Sequence, residues 1–292
     1  MASASDVKTL REKTGAGMMD CKKALDAVNG DMDKAIDWLR ENGIAKAAKK
    51  QSRIAAEGTT EIVEDKDSAI IIEVNSETDF VATNPKFTDA VKEIANALIG
   101  SKANTLEEAM QVEVNGETVE TKMVNLTAEI GEKLTFRRFA RVSKKGANLG
   151  LYSHMGGKIG VIAALEGAST DVAKDVAMHV AAMNPSYLDK DSVPKEDLDH
   201  ELDVIKEEIK NDPKNASKPE DIIEKMAQGK VSKFYKENCL VEQPYIKDDS
   251  LSVGDYVKNN GGKVLSMVRF QVGEGIEKKE EDFAAEVMSQ IK

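Results

Sequence analysis

The chain has 292 residues, with 41 lysines and arginines against 52 aspartates and glutamates, and a formal net charge of −11. That length allows more than one domain, and the acidic balance disfavours a broad phosphate-binding face for DNA or RNA. Cys21 and Cys239 lie far apart in the sequence, so they are expected to be reduced thiols rather than metal ligands. No apolar run approaches the length of a membrane span, and no charged leader precedes an apolar segment. We therefore expect a cytoplasmic protein without metal or cofactor that binds another protein.

The N-terminal region, residues 1–55, is predicted to be a small three-helix domain followed by a connector. Apolar residues at helical spacing indicate helices over roughly 5–13, 18–28 and 32–42. Each is expected to end at a glycine-containing turn, the third at residues 42–43. The lysine-rich residues that follow are expected to form a helical connector with a solvated face.

Residues 56–142 are predicted to form a first α+β unit. Its central feature is a run of β-branched residues before residue 75, which favours a buried strand. The predicted elements are a hairpin of strands 59–63 and 69–74, helices over 87–99 and 119–130, and a returning strand over 133–142.

The same order of elements recurs, which predicts a second unit made of residues 143–193 and 239–275. Its predicted elements are a hairpin of strands 150–154 and 158–165, a helix over 170–183, and a returning strand over 264–272. The two units share a pattern rather than residue identities. The predicted fold class is therefore α+β, with a duplicated core of small antiparallel sheets backed by helices.

Residues 194–238 interrupt the second unit and are predicted to form a helical-hairpin arm. Their apolar residues recur at steps of four and three on both sides of Pro213 and Pro219. Two such narrow seams can close on each other as an antiparallel coiled coil. The chain then closes with a C-terminal helical module, residues 276–292, which docks either on the core or on a partner.

The most informative stretch is residues 75–82, NSETDFVA, which follows the predicted buried strand. In one interpretation Phe80 caps the local core and Asp79 serves the turn. In the other, both side chains enter a partner, because a phenyl ring requires a pocket and a carboxylate requires a cation or a donor. The residue pattern leaves both interpretations open.

Two further pairs are candidate contact residues. Met18 and Met19 are adjacent, so they cannot both face one helix core, and they either close the bundle or contact a partner. His154 and Met155 lie at the predicted tip of the second hairpin. Phosphate-loop, nucleophile-elbow and zinc-helix motifs do not occur in the sequence, so covalent catalysis is not expected.

Several of these segments together resemble a known family. Residues 14–25, TGAGMMDCKKAL, resemble the N-terminal signature of the bacterial elongation factor Ts family, and residues 78–81, TDFV, resemble its core signature. The similarity covers nearly the whole chain. It extends to KIGV at 158–161, MHVAA at 178–182, VGEGIE at 272–277 and DFAAEV at 282–287.

The resemblance implies a guanine-nucleotide exchange factor, without covalent chemistry, for the GTPase elongation factor Tu. Residues that would disturb the magnesium ion and release the nucleotide in the partner are Thr78, Asp79, Phe80 and Val81. Residues that would contact the partner elsewhere are Leu10, Met18, Met19, His154, Met155 and Phe283. The protein would form either a heterotetramer with the GTPase or a homodimer through the helical arm. Direct contact with nucleic acid or with a membrane is not expected.

A different class of function uses the same bundle. The three-helix domain is similar to ubiquitin-associated domains, so the chain could be an adaptor that binds a protein without altering its nucleotide. Acceleration of GDP release separates the two functions.

Overall fold

The fold is built from two three-stranded antiparallel sheets that pack face to face, each covered by helices on its outer side. The structure is a computed structural model that describes residues 2–14, 16–215 and 218–277, without the side chains of residues 44–46. The predicted C-terminal helix and Phe283 lie outside the described residues.

The N-terminal helices form a small bundle before the sheets. They are α1 (Ala4–Thr14), α2 (Met18–Ala27) and α3 (Met32–Ala48). Its core includes Leu10, Cys21 and Leu25, all fully buried. Asn29 and Gly30 adopt positive φ between α2 and α3, as expected for a left-handed helix ending.

The prediction that α3 ends at residues 42–43 is wrong, because the helix continues to Ala48. A Cβ at Gly43 would lie 3.3 Å from the Cβ of Ala128 on a helix of the first unit. Gly43 therefore permits close packing between two helices instead of ending one.

The first unit matches the predicted order of elements, with two short strands and two short helices added. Its elements are β1 (Glu57–Glu64), β2 (Ser68–Ser76), α4 (Asp79–Ala82), α5 (Pro85–Gly100), α6 (Leu106–Met110), β3 (Glu113–Val114), β4 (Glu117–Thr118), α7 (Val119–Ile130) and β5 (Thr135–Ser143). The sheet order is β1-β2-β5, so the hairpin's second strand is central.

The second unit repeats this topology. Its elements are β6 (Asn148–His154), β7 (Ile159–Glu166), α8 (Thr170–Met183), β8 (Pro244–Tyr245), β9 (Asp248–Ser252), α11 (Val253–Asn259) and β10 (Lys263–Gln271). Its sheet has the order β10-β7-β6, again with the second hairpin strand in the centre. The two sheets therefore share one strand order.

Alternation along the central strands explains the layering. In β2, Ile70 and Ile72 pack under α5 and α7, whereas Ile71 faces the second sheet. In β7, Val161 packs under α8 and Ile162 faces the first sheet. Because successive side chains point to opposite faces, each central strand is buried on both sides.

A buried carboxylate joins the two units at one end of the sandwich. Glu73 Oε1 accepts hydrogen bonds from Arg137 at 2.9 Å and from the Gly273 amide at 2.9 Å, and Oε2 accepts one from Arg138 Nε at 2.6 Å. A register shift in β5 opposite Glu73 and Val74 lets adjacent arginines reach one carboxylate. Burial alone would raise the pKa of Glu73, but the hydrogen bonds from Gly273, Arg138 and Arg137 hold it below its ordinary value.

Helices α9 (Lys195–Asn211) and α10 (Glu220–Asn238) form a helical hairpin, as predicted. Ion pairs Lys210–Glu220 and Lys206–Glu224 show that the helices run antiparallel. The apolar residues buried between them are Ile205, Ile209, Ile223 and Ala227. Within the described residues, no helix is both long and apolar enough to cross a bilayer.

Candidate protein-binding surface

The predicted strand exit is a short helical tip that follows the central strand of the first sheet. Thr78 caps α4 (Asp79–Ala82), and Asn84 and Pro85 then open α5. The sequence pattern missed α4, because four residues are too few to show a helical period. In this tip, residues 78–82, consecutive side chains point in different directions.

Phe80 points away from the protein and is 84% exposed. Val81 is partly buried against the first core, and Ala82 is buried. The interpretation that Phe80 caps the local core is therefore wrong. The Asp79 carboxylate is also exposed and makes no hydrogen bond or ion pair with the described residues.

Glu132, in the loop between α7 and β5, holds the start of the tip. Its carboxylate accepts a hydrogen bond from the Thr78 amide at 3.0 Å and another from the Thr78 hydroxyl at 2.7 Å. The Thr78 hydroxyl oxygen in turn accepts a hydrogen bond from the Val81 amide at 3.4 Å. Sequence patterns gave no indication of Glu132, because it lies far from Thr78 along the chain and the two residues meet only in the folded structure.

Glu77 connects the tip to the segment that follows the N-terminal bundle. Its carboxylate forms an ion pair with Arg53 at 3.2 Å and accepts a hydrogen bond from the Lys133 amide. The Lys133 ammonium donates to the carbonyls of Gln51 and Arg53, at 2.7 and 3.0 Å. The connector between bundle and sheet is thus attached beside the tip.

The hairpin between β6 and β7 carries the second candidate pair at a glycine-rich turn. Met155 is 72% exposed and has a φ of 49°, and His154 is exposed with its Nδ1 3.2 Å from the Tyr152 hydroxyl. Gly157 has a φ of 92°, and a Cβ there would lie 2.3 Å from Thr59 Oγ1. Only glycine allows this turn to approach β1 so closely.

The tip and the hairpin turn both pack against the start of β1. Helix α4 contacts β1, and so does the turn that contains Met155. The Thr60 hydroxyl donates a 2.8 Å hydrogen bond to the Gly157 carbonyl. Glu57 accepts from Asn75 through its carbonyl and pairs with Lys158 through its carboxylate. Two exposed apolar side chains, Phe80 and Met155, therefore project from one region of the sandwich.

The family model described as Elongation factor TS matches residues 77–274, which is more than half of the chain. The chain belongs to the elongation factor Ts family. Membership of this family implies a translation elongation factor that interacts with elongation factor Tu. The match contains the tip, the hairpin turn and the arm, and it begins after the N-terminal bundle.

The bundle adds two exposed methionines outside the region matched to elongation factor Ts. Met18 is 57% exposed and Met19 is 64% exposed, both at the start of α2. Their exposure agrees with the expectation that the two side chains cannot both face one helix core. Leu10 differs, because it has no exposed surface and packs inside the bundle. It serves the bundle core in the free protein, and its contact with a partner stays a prediction.

A cleft of about 360 Å³ lies between the bundle and α7, beside the contact of Gly43 with Ala128. Its lining mixes apolar side chains, including Trp38 and Leu39, with charged ones, including Lys122 and Glu129. No cluster of three potential His, Cys, Asp or Glu metal ligands occurs among the described residues. The exposed tip and hairpin turn offer apolar side chains suited to contact with another protein.

Proposed function

We propose that this elongation factor Ts family member binds elongation factor Tu in its GDP form and promotes release of GDP, so that GTP can bind. The observation that carries the proposal is the exposure of Phe80 beside Asp79 on a tip whose base is held by hydrogen bonds. Leaving a phenyl ring in water has no benefit to the free protein. Burial of the ring in a pocket of a partner would account for its exposure in the free protein.

In the proposed mechanism, this protein disturbs the contacts that hold the nucleotide in the GTPase, and no covalent bond forms or breaks. Phe80 inserts beside the nucleotide, and Asp79 disturbs the surroundings of the magnesium ion that the GTPase holds with the phosphates. Magnesium requires near-ideal octahedral geometry, so small displacements of its ligands weaken the binding of the ion. Thr78 and Val81 support this action by fixing the ends of the tip.

Exchange also requires a thermodynamic preference for the nucleotide-free partner. By linkage, if this protein binds that form more tightly, GDP must weaken the complex by the same factor. Each tenfold of weakening corresponds to about 1.4 kcal/mol, whereas burying one Phe contributes roughly 1.5–3 kcal/mol. A larger preference needs further contacts, for which Met18, Met19, His154 and Met155 are exposed. Phe283 is proposed as a contact on the basis of the family resemblance alone.

The finer assignments of architecture belong to the same proposal. The bundle acts as a ubiquitin-associated-like docking domain, and the arm closes as a short coiled coil. The complex forms in the cytoplasm, either as a heterotetramer with the GTPase or through a homodimer joined by the arm.

The test is release of a fluorescent GDP from elongation factor Tu at increasing concentrations of this protein. We expect the release rate to rise and then saturate as the complex fills. Binding to the GTPase without any acceleration would contradict exchange and favour the adaptor function, for which the exposed Met18 and Met19 are the supporting observation.

A further inference from the structure

The tip is too short to hold its own shape. Helix α4 has four residues, and an isolated helical turn is unstable because the cost of nucleation exceeds the gain from its few hydrogen bonds. The direction of Phe80 must therefore be set by contacts that lie outside the tip.

Glu132 supplies the polar part of those contacts. One carboxylate accepts from both the amide and the hydroxyl of Thr78. Because the hydroxyl hydrogen points to Glu132, the hydroxyl oxygen is free to accept from the Val81 amide. A single acidic side chain thus orders the cap, and the cap orders the first turn that carries Asp79 and Phe80.

We propose that Glu132 is a positioning residue for nucleotide exchange, acting through Thr78 on the direction of Phe80. This inference rests on the proposed function. Glu132 acts at Thr78, two residues before the ring. Its effect is to keep the exposed ring in one orientation before the partner arrives, so that less conformational freedom is lost on insertion.

This role predicts a specific kinetic signature. The exposed methionines and the hairpin turn lie outside the hydrogen-bonded cap, so affinity for the GTPase should change little when Glu132 is replaced. Insertion of Phe80 should instead occur less often within the bound complex. The maximal rate of GDP release should therefore fall, while the concentration that gives half-maximal release stays nearly constant.

The test compares Glu132→Gln with Glu129→Gln in the full-length chain. Glu129 lies on α7 near Glu132 and pairs with Lys86 instead of with the tip. Replacing Glu132 by Gln removes the negative charge that strengthens both hydrogen bonds and leaves one oxygen acceptor. If that oxygen keeps the Thr78 amide, the Gln amide group must donate to the Thr78 hydroxyl, so that bond reverses direction and the hydroxyl hydrogen loses its acceptor. We expect the maximal release rate to fall about tenfold for Glu132→Gln and less than twofold for Glu129→Gln.

A double-variant cycle separates positioning from general damage. If Glu132 acts through Phe80, adding Glu132→Gln to Phe80→Ala should slow release by less than twofold further. A further tenfold loss in that background would overturn the proposal, as would a wild-type maximal rate for Glu132→Gln alone.

Hydrogen exchange of the free protein gives a readout that is independent of the GTPase. The amides of Thr78 and Val81 are bonded within the cap, so a peptide covering residues 76–83 should exchange faster in Glu132→Gln, with α5 peptides unchanged. Unchanged exchange in residues 76–83 would overturn the proposal. If the wild-type protein does not accelerate GDP release, the proposed nucleotide-exchange function fails. The hydrogen-exchange measurement still decides whether Glu132 orders the tip.

Discussion

At the scale of single residues, the chain separates side chains that maintain the fold from exposed apolar side chains that we propose as partner contacts. Phe80 and Val81 are neighbours in sequence, yet the first is largely in solvent and the second packs on the core. Leu10 and Met18 show the same contrast in the bundle. Exposure, and not residue type, is therefore the basis on which these contact residues are proposed.

Phe80→Ala should reduce exchange without reducing stability. The ring is 84% exposed, so its removal loses almost no burial in the free protein. In the complex, the lost burial of about 1.5–3 kcal/mol would slow GDP release roughly tenfold to a hundredfold. Stopped-flow release of fluorescent GDP and thermal unfolding measure the two effects.

Met183→Ala is the matched control, because Met183 is also an exposed apolar residue but lies at the end of α8. Its release rate should equal that of wild type. A lower unfolding temperature for Phe80→Ala would support a core role for the ring.

His179 should make stability depend on pH near neutrality. The ring is fully buried; its Nδ1 accepts from the Ile246 amide at 3.2 Å, and its Nε2 is 2.9 Å from Gln243 Oε1. Burial lowers the pKa of His179 below 6.5, with the hydrogen bond to Gln243 opposing the shift. The unfolded chain then binds the proton more readily, so the free energy of unfolding should decrease as pH falls below about 6.5.

Denaturant unfolding of wild type and His179→Gln between pH 7.5 and 5 checks this dependence. The Gln variant should have a flatter profile, because it has no titratable ring at this position. Equal slopes for wild type and His179→Gln would contradict the assignment.

At the scale of elements, turns set the positions of the exposed residues. The β6–β7 turn meets β1 through Gly157, and the position of Met155 follows from that contact. The tip similarly depends on the loop that contains Glu132. Strands and helices provide the support, and short connections direct the side chains.

Gly157→Ala should disturb the hairpin turn and weaken exchange. The new Cβ would lie 2.3 Å from Thr59 Oγ1 and 2.9 Å from the Thr60 carbonyl, in a backbone with φ of 92°. Strain of this kind costs about 1–3 kcal/mol. Gly116→Ala is the control, because its φ of 88° is similar but nothing lies within 4 Å of the added Cβ.

Unfolding free energies and GDP release of the two variants give the comparison. We expect Gly157→Ala to lose more stability than Gly116→Ala and to be the slower in exchange. Equal losses would show that backbone conformation alone, and not contact with β1, fixes the turn.

The sequence predicted elements whose signals are local. Helix α8 begins and ends at the predicted residues, because Ser169 caps its start and Asn184 adopts the left-handed conformation at its end. The continuation of α3 through Gly43 was not predictable, since its cause is Ala128 on a distant helix. Asp79 and Phe80 could be proposed from the sequence, whereas Glu132 and the Arg53–Glu77 pair depend on contacts between distant segments.

At the scale of the whole molecule, the two units are held together by apolar packing and by one buried ionic cluster. The inner faces of the sheets share a hydrophobic core. At its end, Glu73 of the first unit binds the Gly273 amide, which follows the last strand of the second unit. The cluster closes the sandwich near the base of the tip.

Glu73→Gln should therefore destabilise both units together. The change leaves Arg137 and Arg138 without their buried carboxylate, and breaking a buried ion pair costs roughly 3 kcal/mol or more. Glu64→Gln is the control, because its ion pair with Lys144 is at the surface and is expected to contribute less than about 1 kcal/mol.

Urea unfolding of both variants measures these differences. We expect a single transition at a lower midpoint for Glu73→Gln and a nearly unchanged midpoint for Glu64→Gln. A separate early transition would instead indicate that the sheets unfold independently.

The arm leaves and re-enters the second unit at neighbouring backbone positions. The amides of Ser186 and Tyr187 both donate to the Asn238 carbonyl at 3.0 Å, and the Leu240 amide donates to the Tyr187 carbonyl at 2.9 Å. A longer or shorter excursion at this junction would therefore leave the backbone path of the second unit unchanged. The same junction is a natural splice point for a foreign reporter domain whose own termini lie close together.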